Sequence, residues 1–188
     1  MAFTEEQKRY RNDFIMLTLF AVFGIMVGIF LYEYTDFFTA LKAEEPVFGK
    51  TEFSFKELLY LYYDEIKIAL LVFLAGFTLF SPIVSGTVLL YKGFLCGFSM
   101  LYYGICYQNQ AINAKGFKLM TFVLVSELVI YVIIGAKAMA FGGSLKYAAP
   151  DLISTLKHKF AKKYILTFLI MAAFTAILSA VKYFIPNM

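Results

Sequence analysis

The chain has 188 residues, of which 61% are hydrophobic and only 16% are charged, and its mean hydropathy is +0.74. Soluble domains contain about 45–50% apolar and about 25% charged residues, so this composition excludes an ordinary soluble domain and predicts an integral membrane protein. The net charge of +4 does not indicate nucleic-acid binding, because the lysines and arginines cluster beside apolar segments rather than on one soluble face.

Apolar runs divide the chain into about five membrane-spanning helices, since one span needs about 20 mostly apolar residues. The second and third spans share one long run, in which Ser81, Pro82, Ser85 and Gly86 favour a separating turn. The second span is short, so this pair is alternatively a re-entrant hairpin buried in protein. The predicted fold is a single all-α, polytopic membrane domain over residues 1–188, with spans at 14–33, 66–81, 85–106, 118–142 and 164–184.

Lysines and arginines beside the spans predict the orientation. One basic group, Lys8, Arg9 and Arg11, precedes the first span. A second lies between the fourth and fifth spans, at Lys146, Lys157, Lys159, Lys162 and Lys163. Five spans place both groups on one side, which predicts a multi-pass protein of the cell membrane. Its N-terminus is then cytoplasmic, and the connection from Tyr34 to Glu65 lies outside.

Two of the connections are predicted to contain short interfacial helices, which makes membrane lipid a predicted partner. Residues 53–65 interleave aromatic and leucine side chains with charges, and tyrosines suit a membrane interface. Residues 150–163 begin with Pro150, which is favourable at the first position of a helix, and combine an apolar stripe with basic residues. A solvated basic loop is the alternative for this second segment.

Charged residues inside the spans are the main candidates for function. Lys92 interrupts a run that is otherwise uncharged, and Glu127 interrupts another. A charge within a membrane costs a few kcal/mol, so such residues are usually paired or line a polar path. A Lys92–Glu127 pair is attractive, whereas Lys92 and Lys137 alternatively extend to the cytoplasmic surface. A role in transport or proton relay is the third interpretation.

Glycines in two spans form patterns that favour close helix packing. Gly24 and Gly28 lie four residues apart in the first span, and Gly93 and Gly97 do so in the third. Small residues at this spacing let helix backbones approach each other. Packing within the chain is the favoured interpretation, and a homo-oligomer surface is the alternative.

Motifs for catalysis are absent from the sequence. It contains no zinc-protease, nucleophile-elbow, P-loop or Rossmann motif. Cys96 and Cys106 lie about 15 Å apart if they share one helix, which is too far for a disulfide, so apolar packing is expected of both. We expect a protein that is not an enzyme and that has neither a cofactor nor a metal site.

Two segments resemble the stage II sporulation protein M family. The third span contains an aromatic-x-Gly-x-x-x-Gly segment similar to one of that family, Tyr91-Lys92-Gly93-Phe94-Leu95-Cys96-Gly97-Phe98. The fourth resembles its Glu-led, small-residue span, with Ser126-Glu127-Leu128 followed by Ala136, Ala138, Ala140 and Gly142. Many members carry Asn in place of Lys92 and Pro-His-Gly before the glutamate, where this chain has Phe122, Val123 and Leu124.

The resemblance implies a non-enzymatic membrane scaffold. In that family, the scaffold anchors peptidoglycan-remodelling partners, the stage II sporulation proteins D and P, at the septal and engulfing membranes during sporulation. The outer connection is the expected docking surface. The alternative function is a permease-like transmembrane subunit of an ATP-driven exporter, which the charges within the spans and the broken 66–106 segment favour. A polar cavity that reaches Lys92 and Glu127 favours transport, and a core filled by ion pairs favours the scaffold.

Overall fold

The computed structural model describes residues 5–34, 54–110, 112–145 and 159–185. Over these residues the chain forms five α-helices and no β-strand, which confirms the predicted all-α class. The helices are α1, Glu5–Tyr34; α2, Phe55–Ala75; α3, Ser81–Gln108; α4, Ala114–Leu145; and α5, Lys159–Phe184.

Four of these five helices are long and apolar enough to cross a membrane, over Lys8–Glu33, Ser81–Gln108, Ala114–Gly143 and Ala161–Phe184. The exception is α2, because Asp64, Glu65 and Lys67 interrupt its apolar sequence. A helical, multi-pass membrane protein is thus the class that both sequence and structure indicate. The position of α2 decides between four crossings and five.

Helices α1 and α3 run parallel, and their backbones touch at glycines. A Cβ atom on Gly93 would lie 3.2 Å from the Cα of Gly24, and one on Gly28 would lie 2.2 Å from the carbonyl oxygen of Phe94. A Cβ on Gly97 would lie 2.3 Å from a backbone oxygen of α1. No larger side chain fits between the two backbones, so the glycines permit this close approach.

Helix α4 is central, since it contacts all four other helices. Helix α2 lies antiparallel to α5 along the side of the bundle. The N–H of Ser54 donates to the hydroxyl of Tyr183 at 2.7 Å near one end of α2. The hydroxyl of Tyr164 donates to the carbonyl oxygen of Phe73 at 2.6 Å near the other end, and the Tyr164 ring stacks on Phe141 of α4 at 4.8 Å. The two ends of α2 therefore contact the two ends of α5.

The N-terminal part of α1 lies at the same end of the bundle as the turn between α2 and α3. At this end, a Cβ on Gly143 of α4 would lie 3.2 Å from the guanidinium of Arg9. A Cβ on Gly76, just after α2, would lie 2.3 Å from the hydroxyl of Tyr164. We call this end the amino end, and the opposite end, where α5 finishes, the carboxyl end.

Between residues 53 and 86, the helices of the structure have other boundaries than the predicted segments. One continuous helix replaces an interfacial helix followed by a span at 66–81, because no helix breaker lies between Ser54, whose Oγ accepts from the N–H of Glu57, and Gly76. Helix α3 begins at Ser81 rather than at residue 85. Pro82 lies in its first turn, where the missing proline N–H breaks no helical hydrogen bond.

The other three helices extend beyond their predicted spans. Helix α1 begins at Glu5 and α5 begins at Lys159, because their charged first turns continue the helix. Asn113 accepts a hydrogen bond from the N–H of Gly116 at 2.7 Å and so caps α4, which begins before residue 118. Residues 35–53 of the outer connection and residues 150–158 of the second predicted interfacial helix lie outside the described residues.

Candidate functional site

Four charged side chains, each from a different helix, meet inside the bundle. They are Glu65 of α2, Lys92 of α3, Glu127 of α4 and Lys182 of α5, and we call them the charge cluster. Their side chains are largely buried, with exposed fractions from 9% for Glu127 to 24% for Lys182. With both carboxylates ionised and both lysines protonated, the formal charges of the cluster sum to zero.

Glu65 is the most extensively bonded member of the charge cluster. Its Oε2 accepts from the Nζ of Lys92 at 2.5 Å, and its Oε1 lies 3.9 Å from the Nζ of Lys182. The hydroxyl of Tyr131, on α4, lies 3.0 Å from the same Oε2 and 2.8 Å from the backbone oxygen of Glu65. The ring of Tyr131 also lies 4.8 Å from the Lys92 ammonium. Glu65 therefore joins α2 to the three other helices of the cluster.

Glu127 is held less tightly. Its two carboxylate oxygens lie 3.3 Å and 3.5 Å from the Nζ of Lys182, which are long distances for a charged hydrogen bond. Among the described residues, this lysine is the cation that bonds to Glu127. Lys182 thus bridges the two carboxylates of the charge cluster, at 3.3 Å from Glu127 and 3.9 Å from Glu65.

The expected direct pair between Lys92 and Glu127 is not formed. The structure brings both into the charge cluster but pairs Lys92 with Glu65 and Glu127 with Lys182. The Lys92 side chain is only 10% exposed and lies beside the carboxylate of Glu65, so it points into the bundle. Antiparallel packing of α2 against α3 explains this, since Glu65 and Lys92 lie at similar distances from the turn that joins the two helices.

Lys137, the third charged residue that the sequence indicated, lies apart from the charge cluster. Its Nζ lies 4.4 Å from the centroid of the Tyr10 ring of α1. A protonated amine at this distance from an aromatic face is attracted by the ring electrons. Lys137 therefore links α4 to α1 toward the amino end of the bundle.

Sequence reasoning missed Glu65 and Lys182 as members of the site. Glu65 belonged to the predicted outer connection, and Lys182 lies near the end of the fifth predicted span, so both read as ordinary flanking charges. One signal was present. Lys92 and Glu127 each required a counter-charge, and Lys182 is the one charged residue of the predicted span 164–184. Charge balance among spans would have singled it out.

A cavity of about 120 Å³ adjoins the charge cluster. All four members line it, together with Cys96, Ser99 and Tyr131. One water molecule occupies about 30 Å³ of liquid, so the space accommodates a few waters, and its polar lining offers them hydrogen-bond partners. Small-molecule sites are larger, about 300–1,000 Å³.

Within the described part of the chain, the cysteines form no disulfide and the acidic side chains form no metal site. Cys96 and Cys106 are both free thiols and both buried. Over the same residues, no group of three or more His, Cys, Asp and Glu side chains is positioned to hold a metal ion. The chemistry that this site offers is charge compensation and hydrogen bonding.

Comparison with known proteins identifies no relative. No family model matches the chain, and neither does a curated protein or a solved structure. The resemblance to the stage II sporulation protein M family therefore rests on the segments of α3 and α4 quoted above. The charge cluster, its cavity and the glycine contact are the structural features from which a function can be argued.

Proposed function

We propose that the chain crosses the membrane five times, with α2 as the second crossing. This is supported by the contacts of α2, whose two ends meet the two ends of α5. A helix of 21 residues is about 31 Å long at 1.5 Å per residue, close to the roughly 30 Å of the hydrocarbon layer. Glu65, the most buried of its central charges, is compensated by Lys92 and Lys182.

The proposed location is the cell membrane, with the amino end of the bundle in the cytoplasm. Its described residues include one basic group on α1, Lys8, Arg9 and Arg11, and a second at the start of α5, Lys162 and Lys163. The opposite end has Lys115 and Lys118 at the start of α4 and Lys56 at the start of α2. The larger basic group favours the cytoplasmic side by the positive-inside rule.

Within this arrangement, the chain is a non-enzymatic membrane scaffold that anchors peptidoglycan-remodelling partners at the septal or engulfing membrane during sporulation. The observation that carries this proposal is the compensated interior, where every member of the charge cluster has an oppositely charged neighbour. The adjoining cavity of about 120 Å³ is smaller than a typical small-molecule site of about 300–1,000 Å³. An interior of this kind is expected of a rigid helix bundle whose role is to hold other proteins in position.

The partners proposed from the resemblance are the stage II sporulation proteins D and P, and the part of the outer connection that precedes α2, residues 35–53, is their docking surface. Replacing residues 35–53 with a neutral linker of equal length leaves Ser54 and α2 unchanged. We expect this variant to lose co-purification of both partners from sporulating cells. The matched control replaces residues 109–112, in the connection between α3 and α4 at the same end of the bundle, and should retain them. Undiminished recovery with the 35–53 variant would reject this docking surface.

A second candidate, the permease-like subunit of an ATP-driven exporter, is favoured by one observation, the charged lining of the cavity. A permease must expose its site to the two membrane faces in turn. Cys96 lines the cavity, so membrane-impermeant thiol reagents can be applied to native vesicles of either orientation, with Cys96→Ala as the control. Labelling of Cys96 from both faces would support transport. We expect labelling from at most one face, as a scaffold requires.

A further inference from the structure

The outward face of α2 carries polar groups that the charge cluster does not use. Asp64 and Lys67 form an ion pair there, with 36% of the Asp64 side chain and 50% of the Lys67 side chain exposed. Tyr60 and Tyr63 are 65% and 61% exposed on the same helix, and the Nζ of Lys67 lies 5.8 Å from the centroid of the Tyr63 ring. This helix therefore presents charges and phenol groups away from the bundle.

These groups lie near the middle of the membrane in the five-span arrangement. The two ends of α2 contact the two ends of α5, so the centre of α2 lies beside the centre of a spanning helix. Asp64 is about 13 Å from the first residue of α2, and Lys67 is about 12 Å from its last, at a rise of 1.5 Å per residue. Both distances place the ion pair close to the centre of a hydrocarbon layer about 30 Å thick.

Lipid chains are poor neighbours for this face. A charged side chain at the centre of a spanning helix costs about 2.5–3.5 kcal/mol on insertion scales. The lysine reaches a membrane surface poorly, because the nearer end of α2 is its C-terminal end, whereas helical side chains lean toward the N-terminus. Protein is the covering that such a surface requires.

We propose that a second copy of this chain covers the outward face of α2 in a parallel homodimer. Two copies with the same orientation in the membrane are related by a two-fold axis along the membrane normal, which brings α2 against α2. In a two-fold interface, a residue that contacts another is contacted by it in return. Asp64 of each copy then lies near Lys67 of the other, since one turn of helix separates the two residues. Lys67 of each copy also faces Lys67 of the other across the two-fold axis. The interface therefore gathers two carboxylates and two ammonium groups, whose formal charges sum to zero.

The spacing along α2 supports the same partner. Six of the exposed residues of α2 are separated by alternating steps of four and three: Lys56, Tyr60, Tyr63, Lys67, Leu70 and Leu74. This is the spacing of the side chains that meet along the seam of a parallel two-helix coiled coil. The seam combines aromatic and leucine contacts with the central ion pair, and it leaves the Glu65 side of α2 in contact with α3, α4 and α5.

A disulfide cross-link tests the interface directly. Tyr63→Cys places a thiol on the seam, and Phe174→Cys places one on α5, at a similar level and with a similarly exposed parent side chain, 53% for Phe174. Both variants retain the two buried native cysteines, so their backgrounds are matched. In oxidised membranes, and in liposomes that contain only this purified chain, we expect Tyr63→Cys to form several-fold more covalent dimer than Phe174→Cys. Equal yields from the two variants, or no dimer from Tyr63→Cys, would overturn the proposal.

A charge exchange tests the ion pairs. Asp64→Lys creates a face of like charge, which should lower the cross-linked fraction of Tyr63→Cys about tenfold or more, because like charges across an interface cost several kcal/mol. Adding Lys67→Asp exchanges the two charges and should restore cross-linking. Photobleaching of the fluorescently labelled wild-type chain in liposomes is independent of any substitution in α2. It should show two steps, and single-step bleaching would contradict the dimer.

The dimer rests on the five-span arrangement of the proposed function, and the two can fail separately. Ser54, directly before α2, and Thr78, in the turn that follows α2, can each be replaced by cysteine and labelled with impermeant reagents. Labelling from opposite membrane faces supports the second crossing. If the faces are opposite and cross-linking is absent, the dimer alone is rejected. If both label from one face, the five-span arrangement is rejected together with it.

Discussion

Replacing Glu65 with glutamine is expected to lower the free energy of unfolding by about 3–5 kcal/mol, because removing one partner of a buried ion pair leaves the other charge uncompensated. The amide retains the size of the side chain, so the loss reports charge rather than a cavity. The ammonium of Lys92 loses the carboxylate that lies 2.5 Å away, and Lys182 loses one of its two acidic neighbours. Unfolding by steric trapping in bilayers, or by SDS titration, measures this change.

Two further variants distinguish the loss of stability caused by an uncompensated charge from the loss that any Glu-to-Gln substitution causes. Glu33→Gln alters an exposed glutamate near the end of α1 and should change the stability by no more than about 0.5 kcal/mol. Combining Glu65→Gln with Lys92→Met removes both charges of the pair and should recover much of the loss, since a neutral pair carries no uncompensated charge. A loss for Glu65→Gln as small as that for Glu33→Gln would show that the cluster does not stabilise the bundle.

Replacing Gly93 with alanine should destabilise the protein by about 1–3 kcal/mol or more, because the added methyl group forces two backbones apart. The new Cβ would lie 2.3 Å from the carbonyl oxygen of Ala21 on α1, and backbone atoms cannot move away as a flexible side chain can. We expect α1 to separate partly from α3, with a lower unfolding temperature in detergent. Increased protease access near the start of α1 is the second readout.

Gly104→Ala is the matched control on the same helix. A Cβ at Gly104 meets nothing within 4 Å, and alanine is favoured over glycine within a helix by about 1 kcal/mol. The control should therefore be neutral or slightly stabilising, so that of these two glycine-to-alanine substitutions only Gly93→Ala should destabilise the protein. If Gly93→Ala were also neutral, the glycine contact between α1 and α3 would not be close in the membrane.

Local sequence patterns were sufficient to predict those properties that depend on a single segment of the chain. Apolar runs indicated the four helices that are long enough to cross a membrane, and Lys92 and Glu127 were visible because a charge in an apolar run is conspicuous. The boundaries of α2 and α3 could not be predicted from the sequence, because the turn signal around Pro82 is equally compatible with a helix that begins there. The charged first half of α2 also resembled a surface segment, since hydropathy does not reveal a partner charge on another helix.

The sequence by itself determined the membrane class, the positions of the buried charges and the glycines that permit close approach, because composition and spacing along one helix control each of these. The tertiary structure decided the partners. Glu65 lies 27 residues before Lys92, and Lys182 lies 55 residues after Glu127, and no pattern along the chain states which helices become neighbours. Antiparallel packing of α2 against α3 and α5 brings Glu65 to Lys92 and Lys182, and the desolvation cost of each charge makes that pairing necessary.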